Sequence, residues 1–247
     1  GYVTIGVGGY LGYINRLSLT DKIIENAKTN CQSIEQERLS TILSLRKNVS
    51  PMLLTNIAEA WEEYRNNSVP MIYSFADMIQ SFIDKGTAPP LKVLIVDEAQ
   101  DLAELNWRLV DKLTEVVDIT YIAGDDDQAI YKWSGADVET FINLKGNVEV
   151  LKKSHRQPAA VFKQSSRILQ RIKKRREKIF TPADRLGSVK FHNRVEGIDL
   201  SKGTWLLLGR NYYLLRHYEM LVREQGYLYS TKGKLSYDKN LVRAIQG

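Results

Sequence analysis

From about Asp21 to Lys85 apolar residues return at helical spacing. Leu39, Ile42, Leu43 and Arg46 share one face. Pro51 suits the first position of the next helix, whose stripe runs through Leu54, Ile57, Ala58 and Trp61. A third helix is predicted from about Ser74 to Lys85, carrying Phe75, Met78, Ile79, Phe82 and Ile83 and stopping at Gly86 before Pro89-Pro90. The pattern then changes. Val93 to Val96 is an unbroken apolar run, as expected of a strand buried on both faces. Leu102, Leu105, Leu109, Leu113 and Val116 predict a helix, and Ile119 to Ala123 predicts the next strand, parallel to the first. Further strands are expected at Val148–Leu151, Val189–His192, Trp205–Leu208 and Tyr227–Tyr229. A long helix after Pro158 is expected to end in the run RIKKRREK, and another to cover Tyr212 to Gln225, closed by Gly226. The Gly- and Tyr-rich residues 1–15 predict no element.

The chain has 247 residues, 43% hydrophobic and 26% charged, a globular composition without a membrane-length apolar run or a signal peptide. Its one cysteine, Cys31, excludes an intrachain disulfide and suits an intracellular protein. The net charge of +6 is an uneven average. Residues 1–150 carry 13 basic and 22 acidic side chains, a net of −9, whereas residues 151–247 carry 22 and 7, a net of +15. Such asymmetry points to a polyanion meeting mainly the second half, with nucleic acid the leading candidate. Lys145-Gly146-Asn147, near the change of sign, is the hinge candidate.

Chemistry-bearing residues gather where strands end. Asp97 and Glu98 follow the run LKVLIV directly, and ligands of open parallel sheets bind at the carboxyl ends of strands. One carboxylate can hold Mg2+ while the other takes a proton from an attacking water; the alternative is a pair of solvated acids capping the next helix. The second strand leads into Gly124-Asp125-Asp126-Asp127-Gln128, where Gln128 can both donate to a phosphate oxygen and accept from a water. Tyr131 and Trp133, with Lys132 between them, offer base-stacking faces beside a phosphate contact, or are ordinary core aromatics. Arg156, in Leu151 to Pro158, could reach a phosphate held by the first half, or lie on the surface. The cluster Arg171, Lys173, Lys174, Arg175, Arg176 and Lys178 reads as a solvated helix face or as a phosphate-tracking patch.

VDEAQDL, AGDDDQAIYKWSGA and LKKSHRQP, in this order, resemble motifs II, III and IV of superfamily 1 DNA helicases of the UvrD/Rep/PcrA type. WLLLGRNYYLLRHYEMLVREQGY resembles the next block of that family, and YSFADMIQSFIDKG its approach to motif II. The resemblance extends over about Tyr73 to Tyr229. It implies that Asp97 binds the Mg2+ of MgATP, that Glu98 activates the hydrolytic water and that Gln128 senses the γ-phosphate. It further implies that Tyr131 and Trp133 lie against single-stranded DNA and that Arg156 is an arginine finger. Arg210 and Asn211 match the later block, with supporting roles toward nucleotide and strand respectively.

The chain departs from the pattern in three places. Ser134 stands where the family usually has arginine, and Ser154-His155 where it usually has Asn-Tyr; His155 could still stack on adenine. No G-x-x-x-x-G-K-[ST] phosphate loop occurs, since Gly6-Val7-Gly8-Gly9 lacks the lysine, and motifs V and VI are not visible. The expectation is therefore an internal helicase fragment, inactive by itself. Its fold class would be α/β: a RecA-like parallel-sheet motor core with a preceding helical insertion and part of a second RecA-like core. The expected divisions are a helical region at 1–90, a first core at 91–147 and a partial second core at 148–247. The implied partners are single-stranded DNA and DNA duplex junctions, the cofactors ATP and Mg2+, and the location the cytoplasm or nucleoid. The rival readings are a DNA-binding module that does not hydrolyse ATP and a Mg2+-dependent nuclease or phosphohydrolase.

Overall fold

The computed structural model describes residues 3–7, 19–32, 34, 36–38, 50–68, 73–231 and 234–236. The helical face of Leu39, Ile42, Leu43 and Arg46 lies outside them, as do Gly8 and Gly9. The chain divides into two compact units, one of residues 1–16 and 189–247, the other of residues 17–188. Lys145-Gly146-Asn147 lies within the second.

The first unit is built on strand β1, Val3–Val7, which no local pattern announced. It lies between β4, Trp205–Gly209, and β5, Tyr229–Thr231, parallel to both. A short β6, Lys234–Leu235, pairs antiparallel with β5, giving the order β4-β1-β5-β6. Helix α7, Tyr212–Glu224, follows β4 and presses Leu215 and Val222 onto Leu200, Trp205, Leu207 and Tyr229. Gly209 is where the strand meets this helix: a Cβ there would stand 3.1 Å from Leu215. Val189–His192 forms no strand, and the last parallel strand begins at Tyr229 rather than Tyr227.

In the second unit α1, Leu19–Thr29, packs Ile23 and Ile24 against Ala58 of α2, Pro51–Asn67. Helix α3, Phe75–Lys85, starts where Ser74 and Asp77 form a reciprocal capping box: the Ser74 hydroxyl accepts from Asp77 N–H at 3.2 Å and the Asp77 carboxylate from Ser74 N–H at 2.9 Å. Strands β2, Val93–Val96, and β3, Ile119–Ile122, are parallel, with Val96 opposite Ile122, and α4, Glu104–Thr114, connects them. Leu94, Val96 and Ile122 pack against Trp107, Val110, Ala99 and Phe141, the last from α5, Val138–Asn143.

The expectation that β2 is buried on both faces fails. Val93, Ile95, Ile119 and Tyr121 are exposed, Ile95 by 71%, because one layer of helix covers the pair among the described residues. Two further corrections fall on the segment after α5. Val148–Leu151 forms no strand; a single parallel bridge joins Lys153 to Thr181. Helix α6, Ala159–Leu169, ends before the basic run, which is irregular and so has no helix face. Residues 179–187 then run beside 152–160: Thr181 N–H donates to Lys152 O at 2.7 Å, Ser154 N–H to Thr181 O at 2.9 Å and Ala159 N–H to Arg185 O at 3.0 Å. Among the described residues no helix is long and apolar enough to cross a membrane.

Candidate functional site

Parallel pairing brings the carboxyl ends of β2 and β3 side by side, and the chain leaves each strand in a tight turn. Ala123 N–H donates to Val96 O at 2.8 Å and Ala99 N–H to Ala123 O at 3.0 Å, so the two exits are stitched together. Asp97 is exposed, and one of its carboxylate oxygens accepts the Glu98 N–H at 2.9 Å. Glu98 itself sits in the left-handed region, φ 51°, opening the single turn Ala99–Asp101. A glutamate in that conformation is uncommon, and such conformations cluster at working sites.

Gln100 links the two exits. It is 1% exposed, and its Oε1 accepts the backbone N–H of Asp125 at 2.9 Å. Its Nε2 donates to Glu98 Oε2 at 2.7 Å and, more weakly, to Asp101 Oδ2 at 3.4 Å. Burial first, then the charge of Glu98, push the Asp101 carboxyl above its ordinary range, against the Gln100 hydrogen bond. Gly124 makes the approach possible, because a Cβ there would stand 2.6 Å from Gln100 Oε1 and 2.9 Å from Phe141 Cζ.

Beyond Gly124 the three aspartates are not a free acidic cluster. Asp125 Oδ2 accepts from Gln128 Nε2 at 2.6 Å, and its Oδ1 accepts from Lys178 Nζ at 2.6 Å. Lys178 also bonds Asp126 Oδ1 and stands 3.4 Å from Asp127. Arg175 donates to Asp127 at 2.7 Å, and the backbone N–H of Arg176 to Asp126 Oδ2 at 2.8 Å. The Arg176 guanidinium turns the other way, onto the carbonyls of Ile142 and Leu144, both at 2.9 Å, where α5 ends. Desolvation alone would raise the Asp125 carboxyl, but hydrogen bonds from Gln128 and Lys178 and the Lys178 charge outweigh it and hold it low. Lys178 is pulled down by its own burial and more strongly up by Asp125 and Asp126, so it stays charged well into the alkaline range.

Asp97, Glu98 and Gln128 thus belong to one hydrogen-bonded assembly. Tyr131 is half-buried just after it; Trp133 is in the described chain, but its side chain is not. His155 and Arg156 are exposed at the turn before α6, and neither side chain bonds to that assembly among the described residues. The Arg156 carbonyl accepts from Arg185. Arg210 and Asn211 belong to the other unit. Arg210 is exposed, and the Asn211 side chain caps α7, its Oδ1 accepting the Leu214 N–H at 3.0 Å. No group of three or more His, Cys, Asp or Glu side chains among the described residues is arranged to hold a metal ion.

The family profile described as the UvrD/REP helicase N-terminal domain matches residues 15–149, more than half of the chain. The chain belongs to the UvrD/REP helicase family. An ATP-dependent DNA helicase Rep of Buchnera aphidicola (subsp. Baizongia pistaciae) is 40% identical over 55 residues, 22% of this chain and 8% of that protein. A probable DNA helicase of Mycoplasma pneumoniae is 25% identical over 168 residues, 66% of this chain and 30% of its own length. The ATP-dependent DNA helicase PcrA of Bacillus subtilis is 27% identical over 88 residues, 34% of this chain and 12% of that protein. The chain therefore spans less than a third of each of these relatives.

In this UvrD/REP chain two contributors to the assembly carry no local signal. Gln100 lies inside VDEAQDL, where an amide next to two carboxylates can donate to one and still accept elsewhere. Lys178 was one of six cations in a run, and nothing local separates the cation that is buried from those that stay in solvent.

Proposed function

We propose that this chain forms part of an ATP-dependent DNA helicase or translocase, hydrolysing ATP between two RecA-like cores and moving on single-stranded DNA toward duplex junctions. The observation that carries the reading is the hydrogen-bonded line Glu98–Gln100–Asp125–Gln128 across the ends of two parallel strands. Such a line suits a site in which the state of a phosphate at one residue has to be felt at another. Family membership and the DNA helicase relatives agree with it.

Each residue then has a definite task. Gln100 holds one carboxylate oxygen of Glu98, leaving the other to take a proton from water. Gln128 gives one N–H to Asp125, and its second N–H and its carbonyl face a phosphate oxygen and a water. Asp97 fits Mg2+, which takes one or two carboxylates and completes its shell with water and phosphate oxygens; its exposed carboxylate commits one oxygen to the Glu98 N–H. Bound Mg2+ supplies charge neutralisation at the phosphates. Arg156 would serve as the arginine finger, with His155 and Arg210 toward the nucleotide and Tyr131, Trp133 and Asn211 toward the DNA strand. The nuclease reading loses ground, because Lys178 and Arg175 already compensate the three aspartates it would need.

The test is Glu98→Gln in the protein as the cell makes it. Hydrolysis of ATP should fall to background, while MgATP binding stays within about twofold, since a carboxamide keeps the shape but cannot take the proton. Unchanged turnover removes Glu98 from the base role. Tight single-strand binding by a wild-type protein that never hydrolyses ATP would restore the DNA-binding module.

A further inference from the structure

Lys178 lies about 50 residues beyond the aspartates it holds, with |i−j| of 53 to Asp125 and 52 to Asp126, and its side chain is 7% exposed. A buried ammonium is costly unless every proton finds an oxygen. Here Lys178 donates to Asp125 and Asp126 and stands 3.4 Å from Asp127, and Nζ lies 5.7 Å from the Phe180 ring centre. The arrangement is also selective. Asp126 and Asp127 have partners besides Lys178, in the backbone N–H of Arg176 and the guanidinium of Arg175, whereas the only cation on Asp125 among the described residues is Lys178; its Oδ1 also accepts the Asp127 N–H at 3.2 Å, and its Oδ2 accepts from Gln128. With Lys178 in place, Asp125 cannot rotate without giving up a charge-assisted bond, and its Oδ2 holds the Gln128 amide by Nε2.

We propose that Lys178 is a positioning residue for Gln128, acting through Asp125, and that this lysine of the basic run sets the geometry of the γ-phosphate sensor rather than tracking DNA. The inference rests on the hydrolase reading above. It assigns Lys178 no contact with nucleotide or DNA. Its effect appears in the rate of the chemical step, because an amide displaced by an ångström can lower that rate about 100-fold while binding is little changed.

The experiment is a double-mutant cycle on DNA-stimulated ATP hydrolysis by the full-length protein, with Lys178→Met, Gln128→Ala and the pair. Lys178→Met should lower kcat by roughly 10- to 100-fold with the KM for ATP and the affinity for single-stranded DNA within about twofold. In the Gln128→Ala background the same change should lower kcat by no more than about twofold, since the group it positions is already gone. A kcat for Lys178→Met equal to wild type, or losses that multiply in the double mutant, overturns the proposal. If thermal melting shows that Lys178→Met is unfolded, Lys178→Gln, which keeps a donor but removes the charge, replaces it in the cycle, and the same outcomes apply. A wild-type protein without DNA-stimulated turnover overturns the hydrolase reading itself, which separates that failure from failure of the Lys178 assignment.

Discussion

Gln100 and Gly124 form the tightest point of the site, and each constrains the other. Removing the Gln100 carbonyl strands a partly buried backbone N–H at Asp125, and a stranded buried donor ordinarily costs about 1–3 kcal/mol. Gln100→Leu, close in volume, should therefore lower the unfolding free energy by that amount in urea titrations and shorten the lifetime of the Asp125 amide proton in hydrogen exchange. Gly124→Ala tests the same contact from the other side. The added methyl meets Gln100 and Phe141 inside normal contact distance, so a loss of about 1–3 kcal/mol is expected. Stability equal to wild type in either variant would mean that the turn has room to relax.

At the scale of elements, what could be read from the sequence depended on how local the determinant was. Helix α3 was legible because Ser74, Asp77 and the stripe Met78, Ile79 and Phe82 all lie within a few residues of each other. Ser74→Ala should cost about 1 kcal/mol and fray that end, as circular dichroism of the melting variant would report. Strands β2 and β3 were legible from their apolar runs. Strand β1 was not, because Val3–Val7 is defined by partners at Trp205–Gly209 and Tyr229–Thr231. The basic run has a composition that favours helix, but in the structure it takes an irregular path along which it pairs with Asp125, Asp126 and Asp127. The resemblance points to Asp97, Glu98 and Gln128, which the structure joins in one hydrogen-bonded assembly, and is silent on Gln100 and Lys178.

The same loop has a defined pH response. The folded carboxyl of Asp125 lies below its ordinary 3.8, so its contribution is complete above that value and is lost as acid carries the pH down through the folded value. Lys178 lies above its ordinary 10.5, so its contribution is complete below 10.5 and is lost as the pH rises through the folded value. Urea midpoints should owe no slope to this pair between about pH 5 and 9. Lys178→Met should flatten the alkaline limb, and an unchanged alkaline limb would show that another group sets it.

The molecule as a whole has two units with separate cores, and the basic surplus of its second half is unequally available. Arg175 and Lys178 form buried or half-buried pairs with aspartates of the first half, and Lys174 reaches Glu139 at 2.8 Å on the surface. Arg171 and Lys173 are exposed and form no ion pair among the described residues. Only cations that meet phosphates displace the ions condensed on a nucleic acid, and each such contact on a single strand steepens the logarithmic salt dependence of binding by about 0.7. Lys178 already has its counterions, and they are aspartates. If the chain binds DNA as proposed, the formal +15 therefore overstates how many sodium ions it would release from the strand. Lys178→Met should leave the slope of log Kd against log salt unchanged, although it removes a full positive charge.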